Sequence, residues 1–402
     1  MPPLRVLYLT FGDAPGGAEM MLAQLLESLD KRVVEAHALV GSNGVVADML
    51  KPHVTRVIVE PRLRHIVLHQ RGAWRVLSNS MVYLGVLLSL SRRIRHDGFH
   101  LVHATATPAF KYGGLTARIA GVPSLATLYE VLDNQLISSW SRRLLAQNLN
   151  AFYGRVLVPS EAARRSAIHA GVTPDLLAVF ENGIEVERFA PDPGTRRAVK
   201  LELCLNDASF VLGTVGRLIP LKGQDVAIRA VASISAQMPD VKLVIVGGAR
   251  TDDERTWESR LKSLVAELGV ADRVMFTGWR ADMSRVYQAL DCLVHTPVLP
   301  DASPVVLIEA MASGVPCIAS DTGGVAEIIR HGETGLLVPP KSAATLRDAL
   351  ETIITDEELR SNLSKRGRTE VASRFDRRVR ARELEAIYRQ ICFPSASTQM
   401  VG

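Results

Sequence analysis

Short, unbroken apolar runs alternate with longer helical stretches over most of this 402-residue chain, and that alternation leaves few architectures open. A run such as Val6-Leu7-Tyr8-Leu9 has no polar side to turn to water. It suits a strand covered on both faces, as in a parallel sheet flanked by helices. In the first half the strand candidates are residues 4–10, 33–40, 54–60, 100–103, 124–129, 155–159 and 176–180. Helices are predicted between them over 18–29, 74–95, 109–120, 138–152 and 161–170. Repetition of this βαβ kind builds a doubly wound sheet.

The pattern pauses over 186–208, where Pro191, Asp192, Pro193 and Gly194 sit in a polar mix that reads as a linker. A second series follows, with strands at 210–215, 241–246, 274–277, 293–295 and 317–320. Its helices are expected at 224–237, 254–268, 282–290 and 304–312, and a polar helical tail covers 343–390. The expected architecture is α/β: two Rossmann-like, doubly wound domains facing each other across a cleft. Their bounds are 1–185 and 209–372, joined by the linker 186–208, with 373–402 a C-terminal helix and tail crossing back to the first domain. In open sheets of this kind ligands bind outside the carboxyl ends of the strands, so function is to be sought in the loops that follow them.

Charge divides unevenly. Residues 1–180 hold 19 Lys and Arg against 12 Asp and Glu, whereas the remainder holds 28 against 30. No acid occurs between Glu60 and Asp97, a stretch that carries Arg62, Arg64, Arg71, Arg75, Arg92, Arg93 and Arg95 among apolar residues such as Trp74, Leu77, Leu87 and Leu88. Residues 62–96 could therefore lie on an anionic membrane surface, meet an acidic acceptor, or form a core helix with a solvated basic face. Nothing in the pattern points to nucleic acid. The longest nearly apolar run, 81–90, is about half of what a spanning helix needs. Cys204, Cys292, Cys317 and Cys392 form neither a disulfide framework nor a zinc-ligand spacing, and the N-terminus reads as a strand rather than a signal peptide. A cytoplasmic protein is expected, one that could sit at the inner face of the membrane.

Three loops stand out. Phe11 to Glu19 follows the first strand and opens into a helix, with Gly16 and Gly17 able to bring backbone N–H groups to an anion. Its spacing is neither G-x-G-x-x-G nor a Walker loop. After strand 210–215, Arg217 and Lys222 are two cations suited to a pyrophosphate, the one as a fork and the other as a point charge. The third loop, Pro300 to Ala312, has Ser303 as an expected N-cap and Pro304 at the first helical position. The helix that follows is apolar apart from Glu309, a carboxylate in need of hydrogen-bond donors such as ribose hydroxyls. Asp301 lies eight residues ahead of it.

In order and spacing these pieces resemble the retaining GT-B glycosyltransferases of family 4 over nearly the whole chain. The matching segments are Gly16-Gly17-Ala18-Glu19, Val158-Pro159-Ser160-Glu161, Glu181-Asn182-Gly183 and Val215-Gly216-Arg217 with Lys222-Gly223. They continue with Phe276-Thr277-Gly278, the Asp301 and Glu309 pair, Gly323-Gly324 and Gly335-Leu336-Leu337-Val338. The resemblance implies a UDP- or GDP-linked sugar as donor and no further cofactor. Arg217 and Lys222 would hold the donor diphosphate, Glu309 the ribose, and Asp301 the donor sugar. Gly278 would lie near the base, Ser303 and the amides of Val305 and Val306 near the phosphates, and Gly16 and Gly17 would approach from the opposite domain.

No D-x-D is present, in keeping with donor binding that needs no metal. The acceptor would be a saccharide or a lipid-linked precursor, as in polysaccharide or lipopolysaccharide assembly. Tyr129 stands where the family usually has a histidine, and Asp301 where it usually has a glutamate. His103 matches another family histidine, so His103 and Tyr129 are candidates for contact with sugar or acceptor. A GT-B nucleotide-sugar epimerase and a non-catalytic nucleotide-sugar-binding partner are the alternative functions.

Overall fold

The structure, a computed structural model, describes residues 2–11, 16–64, 73–105, 107–132 and 137–393, without the side chains of Arg64 and residues 73–80. Residues 12–15 of the first glycine-bearing loop, and Arg71, lie outside the described residues. The chain divides into two compact units: Met1–Gly183 with the chain from Arg377 onward, and Ile184–Asp376.

Among the described residues the first unit holds seven strands: β1 (Leu4–Leu9), β2 (Val34–Val40), β3 (Arg56–Val59), β4 (Leu101–Ala104), β5 (Ser124–Thr127), β6 (Arg155–Val158) and β7 (Leu177–Val179). They form one sheet in the order β3-β2-β1-β4-β5-β6-β7, parallel throughout. The second unit holds β8 (Phe210–Val215), β9 (Val241–Val246), β10 (Val274–Gly278), β11 (Cys292–His295), β12 (Cys317–Ser320) and β13 (Leu336–Val338). These pair in parallel in the order β10-β9-β8-β11-β12-β13. In each sheet the first strand has its successor on one side and a later strand on the other. The loops leaving the two central strands, β1 and β4 or β8 and β11, therefore part toward opposite faces and leave an opening at the carboxyl end.

The segment 186–208 is not an extended linker. It contains the helix Pro193–Glu202, whose N-cap Asp192 accepts from the N–H of Gly194. Val199, Leu203 and Leu205 join the core of the second unit. The turn-like Pro-Asp-Pro-Gly is a helix start, with aspartate as cap and proline at the first position. The helix expected from 304 begins at Val305. Pro304 is extended at ψ 105° and takes the cap position itself, with its carbonyl accepting from the N–H of Leu307 at 3.1 Å. Ser303 is thus not the N-cap.

The helix Arg377–Cys392 belongs to the first unit. Ala381, Leu384 and Tyr388 pack with Val6, Tyr8, Leu22 and Leu26. Where the chain leaves and re-enters this unit its backbones nearly touch, since a Cβ on Gly183 would lie 2.7 Å from the Cα of Arg377. Inside, the Tyr388 hydroxyl is 2.7 Å from the Tyr8 hydroxyl and 2.7 Å from His103 Nδ1. Replacing Tyr388 by phenylalanine leaves two buried polar groups without that partner. We expect a loss of about 2 kcal/mol in urea unfolding, within the range for buried groups stripped of a hydrogen bond; an unchanged midpoint would show the hydroxyl chain to be energetically idle.

Candidate functional site

In the second unit the site is assembled by backbone packing. Strand β8 runs out through Gly216 into Arg217 and then the short turn Pro220–Lys222. Gly223 follows at φ +63°, and a Cβ there would lie 1.9 Å from the carbonyl oxygen of Thr296. No other residue permits that approach. Thr296 Oγ1 donates to the Gly223 carbonyl at 2.8 Å, and the N–H of Val298 donates to Leu221 at 2.9 Å. The loops after β8 and β11 are stitched together, and Lys222 is delivered to the β11 side.

There Lys222 Nζ donates to Asp301 Oδ2 at 2.6 Å. Asp301 is itself held by backbone: its carbonyl accepts from the N–H of Gly324 at 2.8 Å. Gly323, at φ +64°, comes so near that a Cβ would sit 2.2 Å from that carbonyl oxygen. Behind the pair lies His295, only 2% exposed, its Nε2 3.7 Å from Asp301 Oδ2. Burial pulls the histidine toward the neutral form. Burial alone would raise the Asp301 carboxyl, but the Lys222 ammonium and His295 outweigh it and hold it below the usual carboxylate range.

The helix Val305–Ala312 turns one face outward. Val305, Val306 and Glu309 are half-buried, whereas Leu307, Ile308, Ala310, Met311 and Ala312 are buried. Glu309 Oε2 accepts from the buried Tyr287 hydroxyl at 2.9 Å. Burial raises this carboxyl to about 7, offset in part by Tyr287 and by the charge of Arg188. The N–H groups of Val305 and Val306 belong to the first turn, which has no intrahelical acceptors. Arg217 is largely exposed, and its Nη1 lies 3.2 Å from Oε1 of the buried Glu254. Glu254 Oε2 also accepts the N–H of Arg250 at 2.6 Å. Gly278 ends β10 at φ +71°, with its carbonyl accepting from Gly247 at 3.0 Å. Arg217, Lys222, Gly278, Asp301, Ser303, Val305, Val306 and Glu309 all lie in this unit, on the strand ends or loops at its carboxyl edge and on the helix that follows β11.

Gly16 precedes the helix Gly17–Ser28 with φ −100°, and its N–H donates to Glu19 Oε2 at 2.9 Å. That amide is engaged within its own loop, whereas nothing lies within 4 Å of a Cβ on Gly17. Tyr129 is half-buried, and burial followed by the charge of Glu19 pushes its hydroxyl above the usual range. His103 does not face an acceptor: it is 1% exposed, with Nδ1 on Tyr388 and Nε2 on Thr127 Oγ1, each at 2.7 Å. Both nitrogens are occupied, so the ring offers nothing to an acceptor and serves as interior framework. Burial lowers its pKa to about 3, so it is neutral.

His295, Glu254, Tyr287 and Glu19 were not singled out from the sequence as site residues. The available signals were a strand-end histidine, a buried acid in the first turn of the helix after β9, and the acid closing Gly16-Gly17-Ala18-Glu19. For Tyr287 there was none.

Residues 199–370 match the family described as Glycosyl transferases group 1, and residues 15–188 match Glycosyltransferase Family 4. The D-inositol 3-phosphate glycosyltransferase of Corynebacterium glutamicum is 30% identical over 320 residues, covering 76% of this chain and 75% of that protein. A GDP-mannose-dependent alpha-(1-6)-phosphatidylinositol monomannoside mannosyltransferase of Mycobacterium tuberculosis is 32% identical over 201 residues, 48% of this chain and 50% of that one. Other relatives are matched over about half of their length. Among solved structures, Anabaena Alr3699/HepE in complex with UDP and glucose superposes with a TM-score of 0.83 at 25% identity, over 96% of this chain and 99% of that one.

The Lys222–Asp301 pair makes stability depend on pH. Asp301 has its folded-state pKa depressed, so its contribution is present above the ordinary carboxylate range and is lost as pH falls through it. Asp301→Asn should cost about 2 kcal/mol at pH 7, between the values for exposed and buried pairs. The gap to the parent should narrow below pH ~4. Urea titrations at several pH values check this, and a gap independent of pH would deny the ion pair its role.

Proposed function

The chain belongs to the family 4 type of group 1 glycosyl transferases, and from that premise we propose that it moves a sugar, with retention of anomeric configuration and without a metal ion, from a UDP- or GDP-linked donor to a saccharide or lipid-linked acceptor. One observation carries the reading. The loops after β8 and β11 and the helix Val305–Ala312 gather two cations, two carboxylates and the open turn of a helix within one unit.

Each group has a task in such a transfer. The anomeric carbon–oxygen bond to the diphosphate breaks, a bond to an acceptor hydroxyl forms on the same face, and the hydroxyl proton passes to the departing phosphate oxygen. Charge grows on the diphosphate as it leaves, and Arg217 and Lys222 are fixed cations that need no reorganisation to receive it. Glu254 keeps the Arg217 fork oriented. Glu309 would accept from ribose hydroxyls, and Asp301 would receive a hydroxyl of the transferred sugar. The first unit would carry the acceptor. The relative named for GDP-mannose and the structure holding UDP and glucose support this donor class. A relative named for a phosphatidylinositol mannoside supports a lipid-linked acceptor.

The direct test is purified protein with UDP-, GDP- and ADP-sugars, with and without chelator, followed by thermal shift and nucleotide release. Tight binding of one nucleotide with chelator-insensitive slow release is expected; binding of none would defeat the donor site. Lys222→Ala should abolish transfer in a protein that still unfolds cooperatively, and near-normal turnover would remove the diphosphate from Lys222. Glu309→Gln should weaken nucleotide binding more than tenfold, about 1.5–3 kcal/mol for a charged hydrogen bond. With Glu309 at about 7 in the free protein, rising pH supplies the accepting carboxylate, so affinity should climb between pH 6 and 8. Calorimetry should show that climb in the parent and a flat profile in Glu309→Gln.

A further inference from the structure

We propose that the outward face of the helix Ala73–His96 is a docking surface for an anionic phospholipid bilayer. The helix packs inward through Val86, Leu87, Leu90 and Ile94, all buried. A surface helix of this kind ordinarily turns polar side chains to water. Here Met81, Leu84 and Leu88, at spacings of three and four, form one outward stripe with 69%, 55% and 39% of their surface exposed. Arg92 continues the same stripe one turn on, and Val82, also exposed, flanks it.

A second observation lies at the end of that stripe. Arg92, Arg93 and His96 join Arg56, the first residue of β3, around an open cavity of about 510 Å³. Its single acid, Asp97, is engaged by His96 Nδ1 at 2.8 Å and by Arg56 at 3.9 Å. Among the described residues neither Arg92 nor Arg93 has a carboxylate within ion-pair distance, and the sequence supplies no acid from 61 to 96. Apolar side chains beside arginines that make no ion-pair contact match a bilayer interface, in which acyl chains take the former and headgroup phosphates the latter.

The charge also selects this occupant over others. A second copy meeting this face symmetrically would bring these arginines no carboxylate from residues 61–96, because that stretch contains none. A free anion would use the cavity and leave the apolar stripe unexplained. No helix among the described residues is long and apolar enough to cross a membrane, so attachment would be to the surface. Binding to vesicles requires no donor, so this surface can be tested independently of the donor site.

The test is co-sedimentation of the full chain with phosphatidylcholine vesicles, with and without phosphatidylglycerol. Binding is expected only with the anionic lipid, and it should weaken as salt is raised. Arg92→Ala with Arg93→Ala should lower partitioning about 25-fold, about fivefold for each charge near the surface. Leu84→Ser with Leu88→Ser should abolish it, while thermal unfolding stays as in the parent because these side chains are exposed. Equal binding to both vesicle types, or no binding to either, overturns the proposal. So does indifference to the leucine pair, or a dimer in solution that the leucine pair dissolves. Phosphate binding by the Arg92 and Arg93 cavity without vesicle binding would assign it to a free anion, and that too overturns it.

Discussion

The close approach of Gly223 to the Thr296 carbonyl is the contact on which the second unit's site depends. At φ +63°, with no room for a Cβ, it fixes the loop after β8 onto the end of β11. Lys222 precedes that glycine and Asp301 lies five residues beyond Thr296, so the 2.6 Å ion pair follows from a backbone fit rather than from two flexible side chains finding each other. Gly323 repeats the device against Asp301. Preorganisation of this kind lets fixed charges act without reorganising as a reaction proceeds.

Two carboxylates eight residues apart are driven in opposite directions by what lies beside them. Asp301 faces an ammonium and is held ionised against its burial. Glu309 faces a tyrosine hydroxyl, which cannot offset the loss of water, and it rises to about 7. One is a permanent anion and the other changes state near neutrality. Arg217 has the reverse setting, an exposed fork steadied by a buried acid whose other oxygen is tied to backbone. The unit therefore presents two steadied cations on the loop after β8, one held by Glu254 and the other by Asp301.

Much of this could be read beforehand, for a physical reason. Strands covered on both faces are apolar without interruption, so β1, β8, β9 and β12 announce themselves, and Lys222, Asp301 and Glu309 stand out against apolar neighbours. What failed was decided elsewhere in the chain. His103 looks like a strand-end ligand until Tyr388, 285 residues on, takes its Nδ1. Residues 186–208 look like a linker because Asp-Pro-Gly serves turns and helix starts alike, and only Val199 packing into the core separates the two. Ser303 has the chemistry of a cap but not the position, because the extended Pro304 behind it occupies that place.

The two units differ in how much of their chemistry a sequence can reveal. A nucleoside diphosphate has constant features, two phosphates and a ribose, and these call for charges and open amides on short loops at strand ends. Such residues are few and conspicuous. An acceptor would be met by shape and by weak polar contacts spread over a surface, which leave no such marks, and residues of the first unit's loops have double lives. Glu19 closes a helix start while its charge acts on Tyr129. The helix Ala73–His96 can be read in sequence as a membrane surface, an acceptor surface or a core helix with a basic face, since Leu84 and Leu88 differ from Leu87 and Leu90 only in the direction they face. Direction is a property of the folded unit, so which of these leucines face outward emerges only when the helix is seated on its sheet.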